Sequence, residues 1–535
     1  MKANTKFKVL VSDPLGAGGL QILKKEPRLE VDVLTGLDEN RLKKIVGKYD
    51  AVVVRSGTHL TKGVIQEAKR LKVIGRAGVG VDNVDLETAT KQGIIVMNTP
   101  EGNTVSTSEQ TMSLLLALAR NIPQACASVQ KGEWKRTRFI GTELNGKVLG
   151  VIGFGRIGRE VAVRAAAFGM RVLVYDPYIS KENIRQLGVE FTDLKALFKK
   201  SDFITLHVPL TETTRNMINA KTIQMMKQGV SVINCARGGL VSEKALYRAI
   251  KSGKVRGAAL DVFEKEPPKK NPLLSLEQVI ATPHLGAATQ EAQENVSVAV
   301  AKQVVDALLE RGIRNAVNLP SIDFETMRLL KPWLVLAERI GSMHAQLFGG
   351  SFRDVSIRYG GEVTDFNLAP LTIAVIKGLL TPICGETVNY VNAPTLAKER
   401  GIAVSESKTT QAEHFSTFIA VEVVMDHQKN LIMGTLFGNQ DPRIVRVNEF
   451  FLDAVPKGDV LFIHNEDQPG VVGGIGMILG RNKVNIAEMT LGRVTKGRKT
   501  FAMTVINTDQ AVPPHVLKEL KAFRPIIDTK VVKFS

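Results

Sequence analysis

Short apolar runs separated by amphipathic stretches fill the first 98 residues of the chain. Runs such as Ala-Val-Val-Val at 51–54 are typical of buried strands, and the stretches between them repeat apolar residues at helical spacing. Strands that alternate with helices predict a parallel sheet with helices on both faces. The predicted strands are 7–12, 31–34, 51–54, 73–76 and 94–97, and the predicted helices are 20–25, 39–45, 62–68 and 86–91.

The same alternation returns between about residue 145 and residue 287. A long apolar helix is predicted at 104–119, before this second unit, and another at 289–310, after it. We expect the later helix to return to the first unit, so that two α/β units enclose a cleft, a common place for ligands to bind. The predicted strands of the second unit are 148–152, 171–175, 203–206, 231–234, 257–260 and 279–281.

From residue 321 onward the pattern changes. Residues 321–455 mix helices and strands, without a glycine fingerprint or an obvious acid/base pair. Pro-Lys-Gly at 456–458 suggests a linker, and the tail after it has the order β-α-β-β-α-β of a ferredoxin-like unit. The predicted tail elements are 459–464, 469–480, 484–492, 499–506, 515–522 and 526–533.

The predicted fold class is therefore α/β, with two Rossmann-like parallel-sheet domains and a cleft, followed by an α+β intervening domain and the ferredoxin-like βαββαβ tail. A chain of 535 residues is too long for one hydrophobic core, which agrees with several domains. The predicted boundaries are 1–98 plus 288–320 for the first domain, 99–287 for the second, 321–455 for the third and 456–535 for the tail.

A glycine motif lies between a strand and a helix at the start of the second unit. Gly153 permits a tight turn, Gly155 lets the backbone approach a pyrophosphate at the helix N-terminus, and Gly158 lets helix pack on strand. Asp176 ends the next strand, where an acid can accept hydrogen bonds from an adenosine ribose and repel a 2′-phosphate. Glycines in this spacing also occur in ordinary turns, but the surrounding elements favour a cofactor site, with NAD rather than NADP.

Charge adds a weaker indication. The chain has 71 Lys and Arg against 53 Asp and Glu, a formal net charge of +18, which would suit nucleic acid or anionic substrates. The basic residues are spread along the whole chain, and no nucleic-acid-binding motif is recognisable. We therefore expect no nucleic-acid partner, and a surface field that attracts phosphorylated anions.

The number of cysteines and the hydropathy of the chain limit the cellular compartments in which the protein is expected. Three cysteines lie far apart, which fits a reducing cytosol and argues against a disulfide framework or a metal cluster. No histidine pair has zinc-ligand spacing. No apolar run approaches the ~18 residues of a membrane span, and the polar N-terminus does not resemble a signal peptide. The sequence predicts a cytoplasmic protein with no metal and no membrane contact.

Three polar residues follow predicted strands of the second unit, at the sheet edge where Rossmann-type active sites lie. Arg237 can bind a carboxylate with two hydrogen bonds, His284 can accept a hydroxyl proton, and Glu266 can orient the imidazole. Each of them alone would more often be an ordinary loop residue, and spacing does not show that Glu266 and His284 touch. His207, also at a strand end, is a rival base that we interpret as structural or adjacent to the cofactor.

In their local contexts, and with the glycine motif upstream, these residues resemble the D-isomer-specific 2-hydroxyacid dehydrogenases. The resemblance covers essentially the whole chain and is strongest to the long branch with two further C-terminal domains. That branch oxidises 3-phospho-D-glycerate to 3-phosphohydroxypyruvate with NAD, the first step of the phosphorylated route to L-serine. Further matching strings are Gly-Arg-Ala-Gly at 75–78, Gly-Val-Asp-Asn at 80–83, Asn-Thr-Pro at 98–100 and Gly-Ala-Ala-Leu-Asp-Val-Phe at 257–263.

The resemblance implies a role for each matching position. Arg237 is the carboxylate-binding arginine, His284 the acid/base and Glu266 its partner. The implied substrate residues Arg55 and Arg76 carry the guanidinium groups that a phosphate dianion prefers, and Ser56 and Asn103 belong to the same region. The implied NAD contacts are Gly153, Gly155, Arg156, Ile157, Gly158, Asp176, Cys235, Ala236, Asp261 and Gly286.

The tail resembles an ACT domain, a small amino-acid-binding module that pairs edge to edge. In serine-sensing members the effector lies at the interface of the pair, and the matching positions here are Asn465, Asp467 and Asn485. Asp467 could hold the ammonium group of L-serine, and the helix N-terminus after Pro469 its carboxylate. Asp467 could equally be an ordinary helix N-cap. The resemblance implies that residues 321–455 serve assembly or allosteric control.

Two other functions stay open on the sequence alone. One is a dehydrogenase of an unphosphorylated 2-hydroxy acid, such as 2-hydroxyglutarate with 2-oxoglutarate as product, and the other is an amino-acid sensor with a vestigial dehydrogenase core. We also expect a homo-oligomer, a dimer or tetramer, because the apolar helix at 104–119 and the segment 131–139 with Trp134 look too apolar for a monomer.

Overall fold

The computed structural model describes residues 6–179, 188–385, 387–409, 415–425 and 428–534. Its first sheet is parallel, with the order β2-β1-β3-β4-β5. Every residue of Ala51–Val54 is buried, as expected for a central strand covered on both faces. The strands are β1 (Phe7–Val11), β2 (Leu29–Val33), β3 (Ala51–Val54), β4 (Val73–Arg76) and β5 (Ile95–Met97).

The helices of this first unit begin at the predicted places because side chains cap them. Asp38, Thr61 and Asp85 each accept a hydrogen bond from a backbone N–H in the first turn. The helices are α1 (Ala17–Lys25), α2 (Glu39–Ile45), α3 (Lys62–Glu67) and α4 (Leu86–Lys91). The alternating pattern of the first 98 residues is confirmed, with ends that differ by up to three residues.

The second sheet is also parallel and has seven strands in the order β12-β11-β10-β9-β6-β7-β8. All six predicted strands are present, and the two-residue strand β8 is an addition. The strands are β6 (Val148–Ile152), β7 (Arg171–Tyr175), β8 (Glu190–Phe191), β9 (Phe203–Leu206), β10 (Val230–Asn234), β11 (Val255–Leu260) and β12 (Val279–Ala281). The helices are α5 (Thr104–Arg120), α6 (Ile122–Gln130), α7 (Arg156–Ala167), α8 (Leu194–Lys200), α9 (Ala220–Met225), α10 (Glu243–Lys251) and α11 (Gln290–Leu308).

The long helix α11 returns to the first sheet, as predicted. Val300 and Val304 are fully buried there against Val9 and Val11 of β1. Gly19 of α1 lies so close to α11 that a Cβ would come within 2.5 Å of the Ser297 carbonyl oxygen. The two α/β units are therefore joined by a helix that belongs, by its packing, to the first.

The region after residue 321 is built on a mixed six-stranded sheet of the order β14-β13-β15-β16-β17-β18. The helices α12 and α13 cross at two glycines, because a Cβ on Gly341 or Gly378 would lie about 2 Å from a carbonyl of the other helix. The elements are α12 (Phe324–Leu347), β13 (Phe352–Gly360), α13 (Ala369–Cys384), α14 (Ala393–Glu399), β14 (Ala403–Thr409), β15 (Phe418–Met425), β16 (Gln428–Phe437), β17 (Asp441–Val447) and β18 (Phe450–Ala454).

The tail has the predicted β-α-β-β-α-β order, with an antiparallel sheet β20-β21-β19-β22. One sheet face packs on the tail helices, but the other contributes Phe462 and Val532 to the same core as Trp333 and Leu336 of α12. The segment predicted as a linker thus joins two units that share a core. The elements are β19 (Gly458–Glu466), α15 (Val471–Arg481), β20 (Ile486–Lys496), β21 (Lys499–Thr508), α16 (Pro514–Ala522) and β22 (Ile526–Phe534).

Within the described ranges, no helix combines the length and the apolar character that crossing a bilayer requires. Cys126, Cys235 and Cys384 are all free thiols. In the described part of the chain, no three His, Cys, Asp or Glu side chains are grouped as metal ligands would be.

The shared core predicts that the tail and the intervening region unfold together. Phe462→Ala in the tail and Leu336→Ala in α12 should each lower the same thermal transition, since each removes buried packing worth about 2–5 kcal/mol. Differential scanning calorimetry measures this. Leu173→Ala in β7 is the matched control and should lower a different transition. Separate transitions for Phe462→Ala and Leu336→Ala would show that the two units unfold independently.

Candidate active site

The turn that carries His284 is held by a buried carboxylate. Asp261 comes directly after β11 and is fully buried. Its Oδ1 accepts hydrogen bonds from Thr282 Oγ1 at 2.5 Å and from the Leu285 N–H at 2.8 Å, and its Oδ2 accepts one from the Gly286 N–H at 2.8 Å. Hydrogen bonds to an ionised group are the strong ones in proteins. They fix His284 with a left-handed φ of 57°, which aims its ring away from the sheet.

The helix α5 closes the same turn from the other side. The hydroxyls of Ser106 and Thr107 both donate to the Gly286 carbonyl, at 2.7 and 2.9 Å. Both threonine and serine are buried near the start of α5. Hydrogen bonds with both the end of β11 and the start of α5 therefore hold this turn without a ligand.

Glu266 and His284 are in direct contact. Glu266 Oε2 lies 2.8 Å from His284 Nδ1, and Glu266 Oε1 accepts a hydrogen bond from the Phe263 N–H at 3.1 Å. The two side chains remain 39% and 50% exposed, so a ligand in the cleft can reach the imidazole. With Glu266 ionised, Nδ1 carries the proton that it donates, and Nε2 is left as the acceptor.

The contact between Glu266 and His284 shifts the pKa of each residue. The hydrogen bond that His284 donates to Glu266 raises the pKa of His284 above its usual value, against the opposing effect of burial. Burial alone would raise the pKa of Glu266, but the hydrogen bond and charge of His284 outweigh it, and the pKa of Glu266 is lowered. The ion pair stabilises the fold at pH values between these two pKa values. Its contribution is lost as pH rises through the pKa of His284 or falls through that of Glu266.

Arg237 lies beside the pair, in the turn after β10. Asn234 shapes this turn: its side chain accepts from the Ala236 N–H at 3.0 Å and donates to the Arg237 carbonyl at 2.9 Å. Gly238 is required because a Cβ there would lie 1.8 Å from the Phe263 carbonyl oxygen. The guanidinium then crosses the cleft, and its Nε lies 3.3 Å from Asp82 Oδ2 of the first unit.

The predicted substrate residues of the first unit line the opposite wall. Asp13 holds the loop after β3 by accepting from the Arg55 N–H at 2.6 Å, and Asn83 donates to the Arg55 carbonyl at 2.7 Å. Ser56 in this loop is exposed. Burial, together with the nearby charge of Arg237, lowers the pKa of Arg76 to about 10.

Two polar atoms of the site indicate a ligand that both accepts and donates hydrogen bonds, because Arg76 Nε is a donor and Asn103 Oδ1 is an acceptor. Arg76 Nε and Asn103 Oδ1 are buried, and neither has a hydrogen-bond partner among the residues that the structure describes. A buried unpaired polar group is unfavourable unless a ligand or water satisfies it. Arg55, Arg76 and Arg237 are close enough to affect one another electrostatically, so the structure brings the predicted anion-binding arginines together.

The glycine motif has the geometry of a pyrophosphate site. Gly153 has φ of 92°, and a Cβ on Gly158 would lie 2.1 Å from the Gly153 carbonyl oxygen, so both must be glycine. Above Gly155, at the N-terminus of α7, there is open space where a phosphate can approach the backbone. Asp176 accepts from the N–H groups of Phe154 and Tyr178, at 2.8 and 2.9 Å, and a carboxylate has further lone pairs for a ribose.

The other predicted cofactor residues are distributed around this motif. Arg156 begins α7 and forms an ion pair with Glu101 at 2.9 Å. Cys235 is buried, which raises the pKa of its thiol to about 12, so it is a packing residue rather than a reactive one. Ile157 and Ala236 are partly exposed near the motif and the Arg237 turn, respectively. Asp261 and Gly286 form the histidine turn, and their contact with NAD stays a prediction.

His207 does not behave as a base. It follows β9, its carbonyl lies against Gly153, and its Nε2 lies 3.0 Å from Thr205 Oγ1. Burial lowers its pKa to about 3, so the ring is neutral throughout the working pH range and a poor proton acceptor. This agrees with the interpretation of His207 as structural or adjacent to the cofactor.

Within one chain the predicted effector residues do not converge. Asn465 is buried and donates to the Glu466 carbonyl at 2.9 Å, and Asp467 forms an ion pair with Arg493. Asn485 donates to Asp509 Oδ2 at 2.7 Å. Asp467 lies beside Thr500 and Asn485 beside Asp509, at opposite ends of β21, which at ~3.4 Å per residue are roughly 25–30 Å apart.

Several residues that shape the site have no role in the sequence-based prediction. They could have been suspected from their positions, because Asp13 lies two residues after β1 and Asp82 with Asn83 lies in the loop after β4. Their partners, however, are distant in sequence, and no spacing rule identifies them. The unassigned site-shaping residues are Asp13, Thr58, Asp82, Asn83, Glu101, Ser106, Thr107, Asn234 and Thr282.

Comparison with known families agrees with this division of the chain. Residues 112–286 match the model of the D-isomer specific 2-hydroxyacid dehydrogenase, NAD binding domain. Residues 329–448 match the D-3-phosphoglycerate dehydrogenase intervening domain, and residues 460–525 match the ACT domain. The NAD-binding match contains the glycine motif, Arg237, Glu266 and His284.

Two individual relatives are similar to this chain over nearly its whole length, and one solved structure is similar to part of it. The chain is 46% identical to D-3-phosphoglycerate dehydrogenase of Methanocaldococcus jannaschii, over 98% of this chain and 99% of the relative. It is 41% identical to D-3-phosphoglycerate dehydrogenase of Bacillus subtilis, over 98% and 99%. D-lactate dehydrogenase from Aquifex aeolicus, solved with NAD and lactic acid, superimposes with a TM-score of 0.53 at 34% identity, covering 59% of this chain and 100% of that one.

The Glu266–His284 contact makes a direct prediction about titration. In Glu266→Gln the amide cannot supply the negative charge, so the pKa of His284 should fall toward or below its usual 6.5. Histidine-selective isotope labelling and an NMR pH titration measure this, with His284→Gln identifying the resonance. An unchanged His284 pKa in Glu266→Gln would show that the pair does not form in solution.

Proposed function

This chain belongs to the D-3-phosphoglycerate dehydrogenase family, and on that premise we propose that Arg237, Glu266 and His284 catalyse the oxidation of 3-phospho-D-glycerate to 3-phosphohydroxypyruvate by NAD. The observation that carries the proposal is the contact of Glu266 with His284 beside Arg237, at the end of a sheet that holds a pyrophosphate-binding turn. This is the first step of the phosphorylated route to L-serine.

Each residue of the site has a separate task. Arg237 holds the substrate carboxylate, so that the carbon bearing the hydroxyl lies next to the imidazole. His284 starts neutral, and its Nε2 accepts the hydroxyl proton. Glu266 keeps Nδ1 protonated and stabilises the imidazolium that forms. NAD, held at the glycine turn before α7, would supply the hydride acceptor for the same carbon.

The first unit supplies the phosphate site in this proposal. Arg55 and Arg76 lie on the wall opposite Arg237, and Arg76 Nε is a buried donor that a phosphate oxygen would satisfy. We assign Ser56, which follows Arg55 in the loop after β3, and Asn103, which precedes α5, to the same site. Two guanidinium groups at one end and Arg237 at the other match a ligand with a phosphate and a carboxylate.

The two alternative functions are less well supported. A dehydrogenase of an unphosphorylated 2-hydroxy acid would offer the guanidinium groups of Arg55 and Arg76 no phosphate dianion, and 2-hydroxyglutarate would offer them only a second carboxylate. A sensor with a vestigial core would have no need of an intact Glu266–His284 pair.

Substrate choice tests the proposal directly. In the reductive direction, loss of NADH absorbance should be faster with 3-phosphohydroxypyruvate than with hydroxypyruvate. Arg55→Gln should lower kcat/KM for the phosphorylated substrate by about 10- to 100-fold, the range of one lost charged hydrogen bond, and leave hydroxypyruvate nearly unaffected. Arg41→Gln, on the exposed surface of α2, is the charge-matched control.

Other outcomes would select an alternative. Equal turnover of the two substrates, insensitive to Arg55→Gln, would favour an unphosphorylated 2-hydroxy acid. No turnover of either by a folded protein that still binds NADH would favour the sensor.

The assembly is part of the proposal. Trp134 and Ile140 are 78% and 74% exposed, and Ile122 and Val129 of the neighbouring α6 are also exposed. The apolar face of α5, by contrast, is mostly buried within its own chain. We therefore propose a homo-oligomer, a dimer or tetramer, that pairs through α6 and the following segment. The domain boundaries and a cytoplasmic location also stay predictions.

Regulation by L-serine is the third part of the proposed function. Asn465 and Asp467 lie far from Asn485 in one chain, so the three converge only if two tails pair. The ammonium group of serine would replace Arg493 as the partner of Asp467. This is consistent with an effector that binds between two chains and whose affinity is lowered because an arginine of the same chain competes for Asp467.

Mixed assemblies test the shared site. Asn465→Ala and Asn485→Ala should each abolish inhibition by L-serine without changing uninhibited turnover. When the two variants are unfolded and refolded together, hybrid pairs contain one intact site, and part of the inhibition should return. The separately refolded variants are the controls. Inhibition that survives in either single variant, or that never returns in the mixture, would argue against a two-chain serine site and against pairing of the tails.

A further inference from the structure

The guanidinium of Arg237 already has an anionic partner across the cleft. Asp82, in the loop after β4, brings its Oδ2 to 3.3 Å from Arg237 Nε. The contact joins the first α/β unit to the second, at the position where a substrate carboxylate is to be held. Glycine at position 80 makes it feasible, because a Cβ there would lie 2.2 Å from Arg237 Nη2 and 2.6 Å from Asp82 Oδ2.

The charges around this contact are unbalanced. Arg55, Arg76 and Arg237 face a common space, and the charge of Asp82 partly offsets the repulsion that Arg237 and Arg55 exert on Arg76. Asp13, the other carboxylate nearby, is buried and accepts hydrogen bonds from Arg55 and Thr58. Asp82 is the exposed counter-charge of the pair, since its side chain is 75% exposed.

We propose that Asp82 is a positioning residue that acts through Arg237: its carboxylate takes the place of the substrate carboxylate in the ligand-free enzyme, and the substrate displaces it on binding. The inference rests on the proposed role of Arg237 as the carboxylate-binding group. It adds that affinity for the substrate is set by an exchange between two carboxylates rather than by attraction to a bare arginine.

The exchange has a defined direction. An ion pair this exposed is weak, so a carboxylate that Arg237 binds in two hydrogen bonds can displace Asp82. While it lasts, the pair keeps the guanidinium extended across the cleft and reduces its attraction for small anions. Every anion that binds Arg237 must compete with Asp82, and removal of the Asp82 charge therefore strengthens anion binding.

The test is a kinetic comparison of Asp82→Asn with the unmodified enzyme. KM for 3-phosphohydroxypyruvate should fall about two- to fivefold, the factor that corresponds to one exposed ion pair, with kcat changed less than twofold. Inhibition by inorganic sulfate should strengthen by a similar factor. Asp82→Ser should act in the same direction, and Asp82→Glu should retain the original KM.

Two further variants separate this contact from a general change of charge. Glu87→Gln on α4 removes one negative charge from the same unit without touching Arg237, and should leave KM unchanged. In Arg237→Gln the substitution Asp82→Asn should lose its effect on KM, because neighbouring residues that act on each other are not additive. Equal effects of Asp82→Asn with and without Arg237 would overturn the inference, as would an unchanged or raised KM in Asp82→Asn.

Different results would refute the role of Arg237 and the exchange of carboxylates. If Arg237→Gln itself leaves KM unchanged, the proposed carboxylate-binding role of Arg237 is wrong. If Arg237→Gln raises KM but Asp82→Asn does not lower it, the proposed function stands and the exchange of carboxylates is refuted.

Discussion

The geometry of the site depends on the buried carboxylate of Asp261. An isolated buried charge is strongly unfavourable, so Asp261 is tolerated only because Thr282, Leu285 and Gly286 all donate hydrogen bonds to it. Those donors belong to the turn that carries His284. The requirement to satisfy one carboxylate therefore fixes a left-handed backbone at His284 and presents its imidazole to Glu266.

A second constraint is the accumulation of positive charge at the cleft. Three arginines converge there because they lie at or just after the carboxyl ends of β3, β4 and β10, and guanidinium groups do not lose their charge at working pH. A site built to hold a phosphate and a carboxylate is unfavourable when it is empty. Asp82, across from Arg237, reduces that repulsion while leaving the arginines available.

The tail obeys a different constraint. Its sheet has two apolar faces, and only one is covered by its own helices. The other needs α12, so the tail and the intervening region form one packed body through Phe462 and its neighbours. A change in the packing of the tail therefore also affects the packing of α12 and its sheet. Segment 313–318 forms hydrogen bonds with β5 and so joins that region to the first unit.

Much of this was decided by local sequence. The strands of both parallel sheets, the βαββαβ tail and the glycine turn follow from apolar periodicity and from backbone angles that only glycine adopts easily, as at Gly153. The prediction that Arg237, Glu266 and His284 share one sheet edge also followed, because the carboxyl ends of parallel strands meet there. Helix α6 was missed, since its Pro123 and short length conceal the pattern. Sequence periodicity gives the direction of a strand but not the docking of one sheet on another. For that reason only the tertiary structure decided that Glu266 touches His284, that Asp261 holds the turn, that Asp82 reaches Arg237, and that Asn485 lies far from Asn465.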